Sequence, residues 1–241
     1  MKAYLINLDR STERLAAAEA QLLTAQIAYE RVSAVDGRAL TFRERHRACS
    51  YGRFILINSC LPLPGTIGCA LSHLEVYRRM IAEQIPYALI LEDDVKLEQE
   101  AVPSALRQIV DVVNPDEPAA WLLHNHHKFS LPDGRAEGIL PVRKVFFAEA
   151  YVITLAGAQL LLRVNTPILT LADAWERWRQ YGLHVFMVFP TAACQSGTTS
   201  DILGEFTAPR RASWRWYVAL WNVRTAVFHA FDRFLFYLTG R

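Results

Sequence analysis

The stretch AYLINLDRSTERLAAAEAQLLTAQIAYERVSAVDG, residues 3–37, places one helical pattern between two apolar segments. Residues 3–8 form an apolar run bounded by polar residues, which is typical of a buried strand. Ser11 or Thr12 can cap the helix that follows, and its many alanine, leucine and glutamate residues favour helix. Residues 28–37 indicate a second strand that closes in a turn. A strand, a helix and a strand in this order predict parallel strands joined by a helical crossover.

The same alternation continues outward to about residue 190. An apolar helical pattern covers residues 63–86, with Thr66 as a possible cap and Pro86 as its end. We expect a loop with a short helix over 41–62, a helix over 155–164, and strands over 87–91, 119–125, 144–154 and 184–190. Alternating strands and helices predict an α/β domain, which we place at residues 1–206.

Composition narrows the class of protein. The chain has 241 residues, of which 52% are hydrophobic and 21% charged, as in ordinary globular proteins. The first apolar run is too short for a signal peptide, and no run of about 18 apolar residues predicts a spanning helix. The four cysteines, Cys49, Cys60, Cys69 and Cys194, lack CxxC spacing, so we expect reduced, buried thiols. These features predict a cytoplasmic protein.

The C-terminal segment 207–241 differs from the rest. It holds six arginines and one aspartate, a local charge of +5, whereas the remainder of the chain carries −3. Nine of its 35 residues are aromatic, and several recur at helical spacing. Such an amphipathic helical tail is typical of helices that lie on anionic membrane surfaces, so we expect peripheral attachment to the inner face of the cell membrane. The alternative is a helix packed on the α/β domain or another subunit. A basic tail alone does not predict nucleic-acid binding.

Polar and charged side chains follow three of the predicted strands. In open α/β sheets, ligands bind beyond the carboxyl ends of the strands, so these three ends predict one crevice. Clustered carboxylates become favourable once a divalent cation neutralises them, and arginine pairs well with phosphate. The pattern suits a nucleotide, although a solvated strand end and solvated helix-start charges are the simpler alternatives. The residues concerned are Asn7, Asp9, Arg10 and Arg14, then Asp36 and Gly37, then Glu92, Asp93 and Asp94.

Six segments, in this order and at this spacing, resemble glycosyltransferase family 25. They are LINLDRSTER, VSAVDG, PGTIGCALSHLEVY, YALILEDDV, AYVITLAGAQLLL and SDI, and together they span about residues 2–203. The family includes bacterial lipooligosaccharide galactosyltransferases and animal collagen galactosyltransferase domains. The resemblance implies a GT-A-like, Rossmann-like fold, a UDP-sugar donor that is usually UDP-galactose, and inversion at the anomeric carbon.

The resemblance also implies roles for the acidic cluster. The EDD sequence is similar to the DxD-type motif of that fold. Glu92 would then lie near the donor sugar or ribose, Asp93 would contact the donor, and Asp94 would bind Mn²⁺ or Mg²⁺ directly. Gln195 matches the region that often closes over the donor phosphates, and we assign it as a second metal-ligand candidate. A metal that bridges the two phosphates neutralises charge on the leaving UDP.

An inverting transfer needs a base for the acceptor hydroxyl. By resemblance, Asp173 is the first candidate and Glu149 the second, and His73 of the SH pair is expected near the donor site. Thr66 stands where the family often has glutamate. The three histidines of HNHH at 124–127 cannot all face one ion, so we reject a tetrahedral zinc site and place them beside the acceptor pocket.

The sequence therefore predicts transfer of a hexose, galactose by resemblance, from a UDP-sugar to a saccharide hydroxyl. The acceptor would be a lipooligosaccharide, another surface glycan or a lipid-linked saccharide. Two rival interpretations stay open. A metal-dependent phosphohydrolase also places carboxylates at strand ends, and a membrane-bound scaffold could carry a purely structural acidic cluster.

Overall fold

The structure is a computed structural model that describes residues 1–124, 136–142, 145 and 148–195. The predicted tail over 207–241, the SDI motif and most of HNHH lie outside the described residues. Within the described part of the chain, no helix has both the length and the apolar character needed to cross a membrane.

Seven helices and nine strands are described. The helices are α1 (Thr12–Thr24), α2 (Phe42–Ala48), α3 (Tyr51–Asn58), α4 (Pro64–Ala82), α5 (Val102–Val112), α6 (Leu155–Val164) and α7 (Trp175–Gln180). The strands are β1 (Lys2–Asn7), β2 (Glu30–Ser33), β3 (Tyr87–Glu92), β4 (Val95–Leu97), β5 (Ala119–Leu122), β6 (Gly138–Pro141), β7 (Ala150–Thr154), β8 (His184–Phe189) and β9 (Ala193–Gln195).

A seven-stranded sheet in the order β2-β1-β3-β7-β5-β8-β6 forms the centre of the fold. Strand β1 pairs in parallel with β2 and with β3, so the parallel arrangement predicted from the first 37 residues is confirmed. Strand β7 is antiparallel to both of its neighbours, and the edge strand β6 is antiparallel to β8. The class is therefore mixed α/β. A separate two-stranded sheet joins β4 to β9.

Both faces of the large sheet are covered, which explains why its strands are continuous apolar runs. Tyr4 and Ile6 belong to the core cluster under α4, α6 and α7, whereas Ala3 and Leu5 belong to the cluster under α1 and α5. Alternate residues of one strand thus enter opposite cores. A strand that is buried on both faces has no polar face to reveal its period.

The structure corrects several predicted boundaries. The segment 41–62 contains two helices, and α2 begins at a capping box in which Thr41 and Glu44 bond to each other's backbone amides. Strand β7 begins only at Ala150, six residues later than predicted. Helix α4 begins at Pro64, so Thr66 lies inside the first turn, buried, and does not cap the helix. All four cysteines are free, as expected, but only Cys49 is buried.

The turn at Gly37 touches the first turns of α4 backbone to backbone. A Cβ atom added to Gly37 would lie 1.7 Å from the carbonyl oxygen of Pro64, and one added to Gly68 would lie 2.4 Å from that of Val35. Ser72 reinforces this contact: its hydroxyl donates to the Gly68 carbonyl at 2.7 Å and accepts from the Val35 amide at 2.8 Å. The close approach fixes the β2 turn against α4, and both elements line the site described below.

We expect Gly37→Ala to destabilise the fold by about 3 kcal/mol, because backbone atoms cannot yield as a flexible side chain would. Gly52→Ala is the matched control, since a Cβ atom there meets nothing within 4 Å and the residue is helical. That control should be neutral or more stable by up to about 1 kcal/mol. Urea denaturation of the three proteins measures both changes, and equal stability of Gly37→Ala and wild type would contradict the steric argument.

Candidate active site

The candidate site lies at one edge of the large sheet, at the ends of the five neighbouring strands β2, β1, β3, β7 and β5. The carboxyl ends of β1, β2, β3 and β5 lie there because these strands run in the same direction. Strand β7 runs the opposite way, so its amino end reaches the same edge. Glu149, which precedes β7, therefore lies next to the end of β3, and its carbonyl accepts from the Glu92 amide at 2.9 Å.

A cleft enclosing about 670 Å³, including space open to solvent, lies along this edge. The segment after β1, the turn after β2, the first half of α4 and the end of β3 all line it. It contains cations as well as carboxylates, and its charged lining residues are Arg10, Arg14, Arg38, Asp36 and the acidic cluster 92–94. The structure thus brings the three predicted strand ends together in one crevice.

Asp93 is fixed on both carboxylate oxygens. Asn7, which is buried, donates to Oδ2 at 2.7 Å, and Arg14 donates to Oδ1 at 3.2 Å. Burial raises the pKa of the Asp93 carboxyl, while the bonds from Asn7 and Arg14 oppose that rise. Asn7 also accepts from Arg31 at 2.8 Å, so the end of β1 holds the acidic cluster in place.

The carboxylate of Asp94 has fewer partners than that of Asp93. It is 9% exposed, and its Oδ1 has no hydrogen-bond partner among the described residues. Burial raises its pKa to about 7, and repulsion from Glu92, Glu149 and Asp93 adds to the shift. A buried carboxylate oxygen without a partner is costly unless something positive meets it. The donor set therefore fits a divalent cation, with Asp94 as the available ligand.

Glu92 ends a chain of buried hydrogen bonds. His73 Nε2 lies 3.0 Å from Glu92 Oε1, and His73 Nδ1 lies 2.7 Å from the Tyr151 hydroxyl. The Tyr151 hydroxyl in turn lies 2.8 Å from that of Tyr77. If the tyrosine hydroxyl donates to Nδ1, the neutral imidazole keeps its proton on Nε2 and donates it to Glu92. His73 thus orients a carboxylate of the cleft, as its predicted place near the site requires.

The two candidate bases lie in different surroundings. Glu149 is buried, and His124 Nδ1 lies 2.9 Å from its Oε2. Asp173 is half-buried in the loop before α7, where the Trp175 amide donates to its carbonyl at 2.8 Å. Trp175 packs edge-on against Tyr151 with ring centroids 5.0 Å apart, which anchors this loop to the site.

Cys69 connects these groups. Its half-buried thiol lines the cleft, and burial raises its pKa well above the ordinary value. Four carboxylates raise it further, and they are Glu92, Asp173, Asp94 and Glu149. The Cys69 thiol is therefore close enough to interact electrostatically with Asp94, which is a predicted metal ligand, and with the two predicted bases.

Two of the predicted nucleotide contacts, Asp9 and Arg10, are bonded to other side chains of the protein. Asp9 is exposed and does not line the cleft, because Ser33 donates to it at 2.8 Å and Arg31 at 2.6 Å, and these two bonds lower its pKa. Arg10 lies before α1 and not on it, and it forms an ion pair with Asp36 at the cleft. The four-residue spacing of Arg10 and Arg14 would fit one turn of a shared helix, but only Arg14 lies on α1, although both arginines line the cleft.

Gln195 belongs to β9, whose backbone pairs with β4 so that Gln195 is opposite Val95. That register brings the Gln195 backbone beside the residue that follows Asp94. Its side chain is not among those that the structure describes, and its predicted role as a metal ligand stays a prediction.

Sequence reasoning missed Cys69, Tyr77, Tyr151 and the His124–Glu149 contact. A signal for the first two was present, because Cys69, His73 and Tyr77 recur every four residues and so share one helix face. Tyr151 stands two residues after Glu149, and this spacing does not indicate which histidine each of the two side chains contacts. Those contacts depend on the antiparallel direction of β7.

Comparison with known proteins identifies related chains. The family model described as glycosyltransferase family 25 (LPS biosynthesis protein) matches residues 1–175. Human procollagen galactosyltransferase 2 is 26% identical over 171 residues, covering 67% of this chain and 27% of that protein. Probable inactive glycosyltransferase 25 family member 3 of Rattus norvegicus is 26% identical over 170 residues, covering 67% and 29%.

This chain spans less than a third of the length of these curated relatives. Among solved structures, a glycosyltransferase involved in the glycosylation of the major capsid of PBCV-1 aligns with a TM-score of 0.33 and 10% identity. That alignment covers 68% of this chain and 63% of the other.

Proposed function

Because this chain belongs to glycosyltransferase family 25, we propose that it transfers a hexose, galactose in the first instance, from a UDP-sugar to a saccharide hydroxyl. Transfer would invert the anomeric carbon and depend on Mn²⁺ or Mg²⁺. The relatives named above include both a galactosyltransferase and a member called probable inactive, so the site residues decide between activity and its loss.

The observation that carries the proposal is the charge arrangement in the cleft. Arg10, Arg14 and Arg38 line the same cleft as the unpartnered carboxylate oxygen of Asp94. Arginines suit a diphosphate, and an acidic cluster alone would repel one. A purely structural acidic cluster would pair its own oxygens, as Asp93 does, and would leave none without a partner.

The proposed donor site divides the acidic cluster by role. Asp94 would hold the cation, with Gln195 as a second candidate ligand. Asp93, fixed by Asn7 and Arg14, would contact the donor, and Glu92, oriented by His73, would bind its sugar or ribose hydroxyls. When bound, the cation supplies charge neutralisation to the diphosphate leaving group.

The transfer step needs one proton acceptor. The acceptor hydroxyl oxygen attacks the anomeric carbon, the bond from that carbon to the phosphate oxygen breaks, and UDP leaves with the electron pair. We assign Asp173 to take the hydroxyl proton, because it is half-buried and an acceptor arriving from solvent can reach it. Glu149 is the alternative, but it is buried and already contacts His124.

The acceptor class follows the family description, which refers to LPS biosynthesis. A lipooligosaccharide, another surface glycan or a lipid-linked saccharide fits that description. The basic aromatic segment 207–241 would hold the enzyme on an anionic membrane surface at the cytoplasmic side, beside such an acceptor, while the donor diffuses from solution.

UDP release in the presence of different UDP-sugars and lipooligosaccharide-type acceptors tests the proposed function. We expect UDP release with UDP-galactose, dependence on an added acceptor, and loss of the signal in EDTA with recovery on addition of Mn²⁺. Release of inorganic phosphate from the UDP-sugar would instead indicate a phosphohydrolase. No binding of UDP by calorimetry, with or without Mn²⁺, would contradict the transferase assignment.

A further inference from the structure

Three different metal-ligating side chains converge inside the cleft. The ligand atoms of Cys69, His73 and Glu92 all lie within 4.8 Å of one another. Cys69 and His73 are one helical turn apart on α4, and Glu92 ends β3, so two packed elements of the core hold the group.

We propose that Cys69, His73 and Glu92 form a binding site for a thiophilic divalent cation such as Zn²⁺. Thiolate, imidazole and carboxylate are the three ligand types that zinc accepts, and three protein ligands leave a fourth position open. The cation proposed for the donor at Asp94 is a different one, since oxygen ligands suit Mn²⁺ and Mg²⁺ whereas thiolate selects softer metals.

The charges around the cluster favour a cation. Asp94, Glu149 and Asp173 join Glu92 in acting on the Cys69 thiol, and they give a strongly negative environment. Asp94 lines the same cleft, is 9% exposed and has a buried oxygen without a partner in the described part of the chain. This buried oxygen is an observation independent of the Cys-His-Glu geometry, and its negative charge favours cations throughout the cleft.

The imidazole is already oriented for such a role. The Tyr151 hydroxyl contacts His73 Nδ1 at 2.7 Å, which leaves Nε2 facing Glu92. Histidines that bind metals commonly have their second nitrogen held in this way. On binding, the metal would displace the proton shared by Nε2 and Glu92 and the thiol proton, so cation uptake releases protons to the buffer.

A metal held here would lie against the donor cleft. Under the proposed function, bound zinc would therefore oppose sugar transfer, because Glu92 could no longer reach the donor while it binds zinc. This consequence rests on the proposed function, whereas the metal site itself does not. The test below therefore reads metal binding directly.

Co²⁺ titration of the metal-free, full-length chain at about pH 8 tests the site, since cobalt bound to thiolate absorbs strongly in the near ultraviolet. We expect the wild-type protein to develop this absorption and to lose it when Zn²⁺ is added. Cys69→Ser should lose the thiolate absorption and bind Co²⁺ at least about tenfold more weakly. Cys194→Ser should match wild type, because its thiol contacts Glu98 away from the cluster.

Circular dichroism of each variant ensures that a lost signal does not reflect unfolding, and Cys69→Ala provides a second substitution if the serine variant does not fold. Thiolate absorption that persists in Cys69→Ser or Cys69→Ala, or its absence from the wild type, would overturn the metal site. If UDP release fails in every condition while the cobalt spectrum appears as described, the transferase proposal fails and this inference stands.

Discussion

Asp94→Asn should abolish sugar transfer and, in the same protein, raise the stability of the cation-free fold. The substitution removes the proposed cation ligand, since Asp94 is the one carboxylate with a buried, unpartnered oxygen among the described residues, and we expect turnover to fall by at least about 100-fold. Stability should rise because the substitution removes a charge that is buried among like charges.

The direction of the stability change follows from the pKa of Asp94. Burial raises the pKa of Asp94 from 3.8 to about 7. Between pH 3.8 and about pH 7, the folded protein therefore keeps a proton on Asp94 that the unfolded chain has lost. Stability of the wild-type protein therefore falls as the pH rises through this window, and the loss is complete above about pH 7. Asparagine never ionises, so the variant should be more stable at about pH 8 by on the order of 2 kcal/mol.

Thermal unfolding in EDTA at about pH 5 and about pH 8 measures this effect, and about 2 kcal/mol corresponds to roughly 5 °C in Tm. Asp111→Asn is the matched control, since Asp111 is exposed on α5 and its substitution should change neither activity nor the pH profile. An Asp94→Asn protein that turns over normally, or one that is less stable than wild type at both pH values, contradicts the assignment.

Asp173→Asn should lose turnover while still binding the donor. A general base contributes roughly 100- to 10,000-fold to such a step, and it acts on the acceptor hydroxyl and not on UDP. We therefore expect kcat to fall by that factor with UDP affinity changed by less than about twofold. Asp94→Asn, by contrast, should weaken cation-dependent UDP binding. The two variants therefore distinguish the base from the metal ligand.

Glu149→Gln distinguishes the second candidate. Because Glu149 is buried against His124, its loss should mainly disturb the fold near β7, with a smaller effect on kcat than that of Asp173→Asn. Glu176→Gln, an exposed carboxylate on α7, serves as the control for the loop. Single-turnover kinetics with calorimetric UDP binding provides the comparison. Normal turnover in Asp173→Asn, together with loss of turnover in Glu149→Gln, would reverse the assignment.

The sequence predicted the first half of the fold better than the second. Strands β1, β2 and β3 are separated by long helices, and a helical crossover between strands forces the parallel direction that was predicted. The direction of β7 depends on which strand it meets after a long excursion of the chain, and no local pattern encodes that choice. The capping box at Thr41 and Glu44 was visible in the sequence, yet its helix was predicted only as part of a mixed segment.

The same division applies to the candidate site. Arg14, Asp93 and Asp36 could be placed together because each follows or precedes a predicted parallel strand. By contrast, the sequence did not show that Arg31 and Ser33 of the neighbouring strand β2 both donate to Asp9 and hold it outside the cleft. Nor could the sequence show that both oxygens of Asp93 have partners whereas Oδ1 of Asp94 has none among the described residues, because the two adjacent carboxylates differ only in the partners that folding brings to them.

The residues that line the cleft come from one part of the chain, and this has a consequence for evolution. Every described residue that lines it lies between Ile6 and Asp94, whereas Glu149, Asp173 and Tyr151 come from the later half of the chain. The antiparallel strand β7 is the seam along which the two halves meet. Insertions and substitutions beyond residue 94 can therefore change what approaches the cleft without changing its described lining, whereas Tyr151 and Glu149 stay constrained by their contacts with His73 and Glu92.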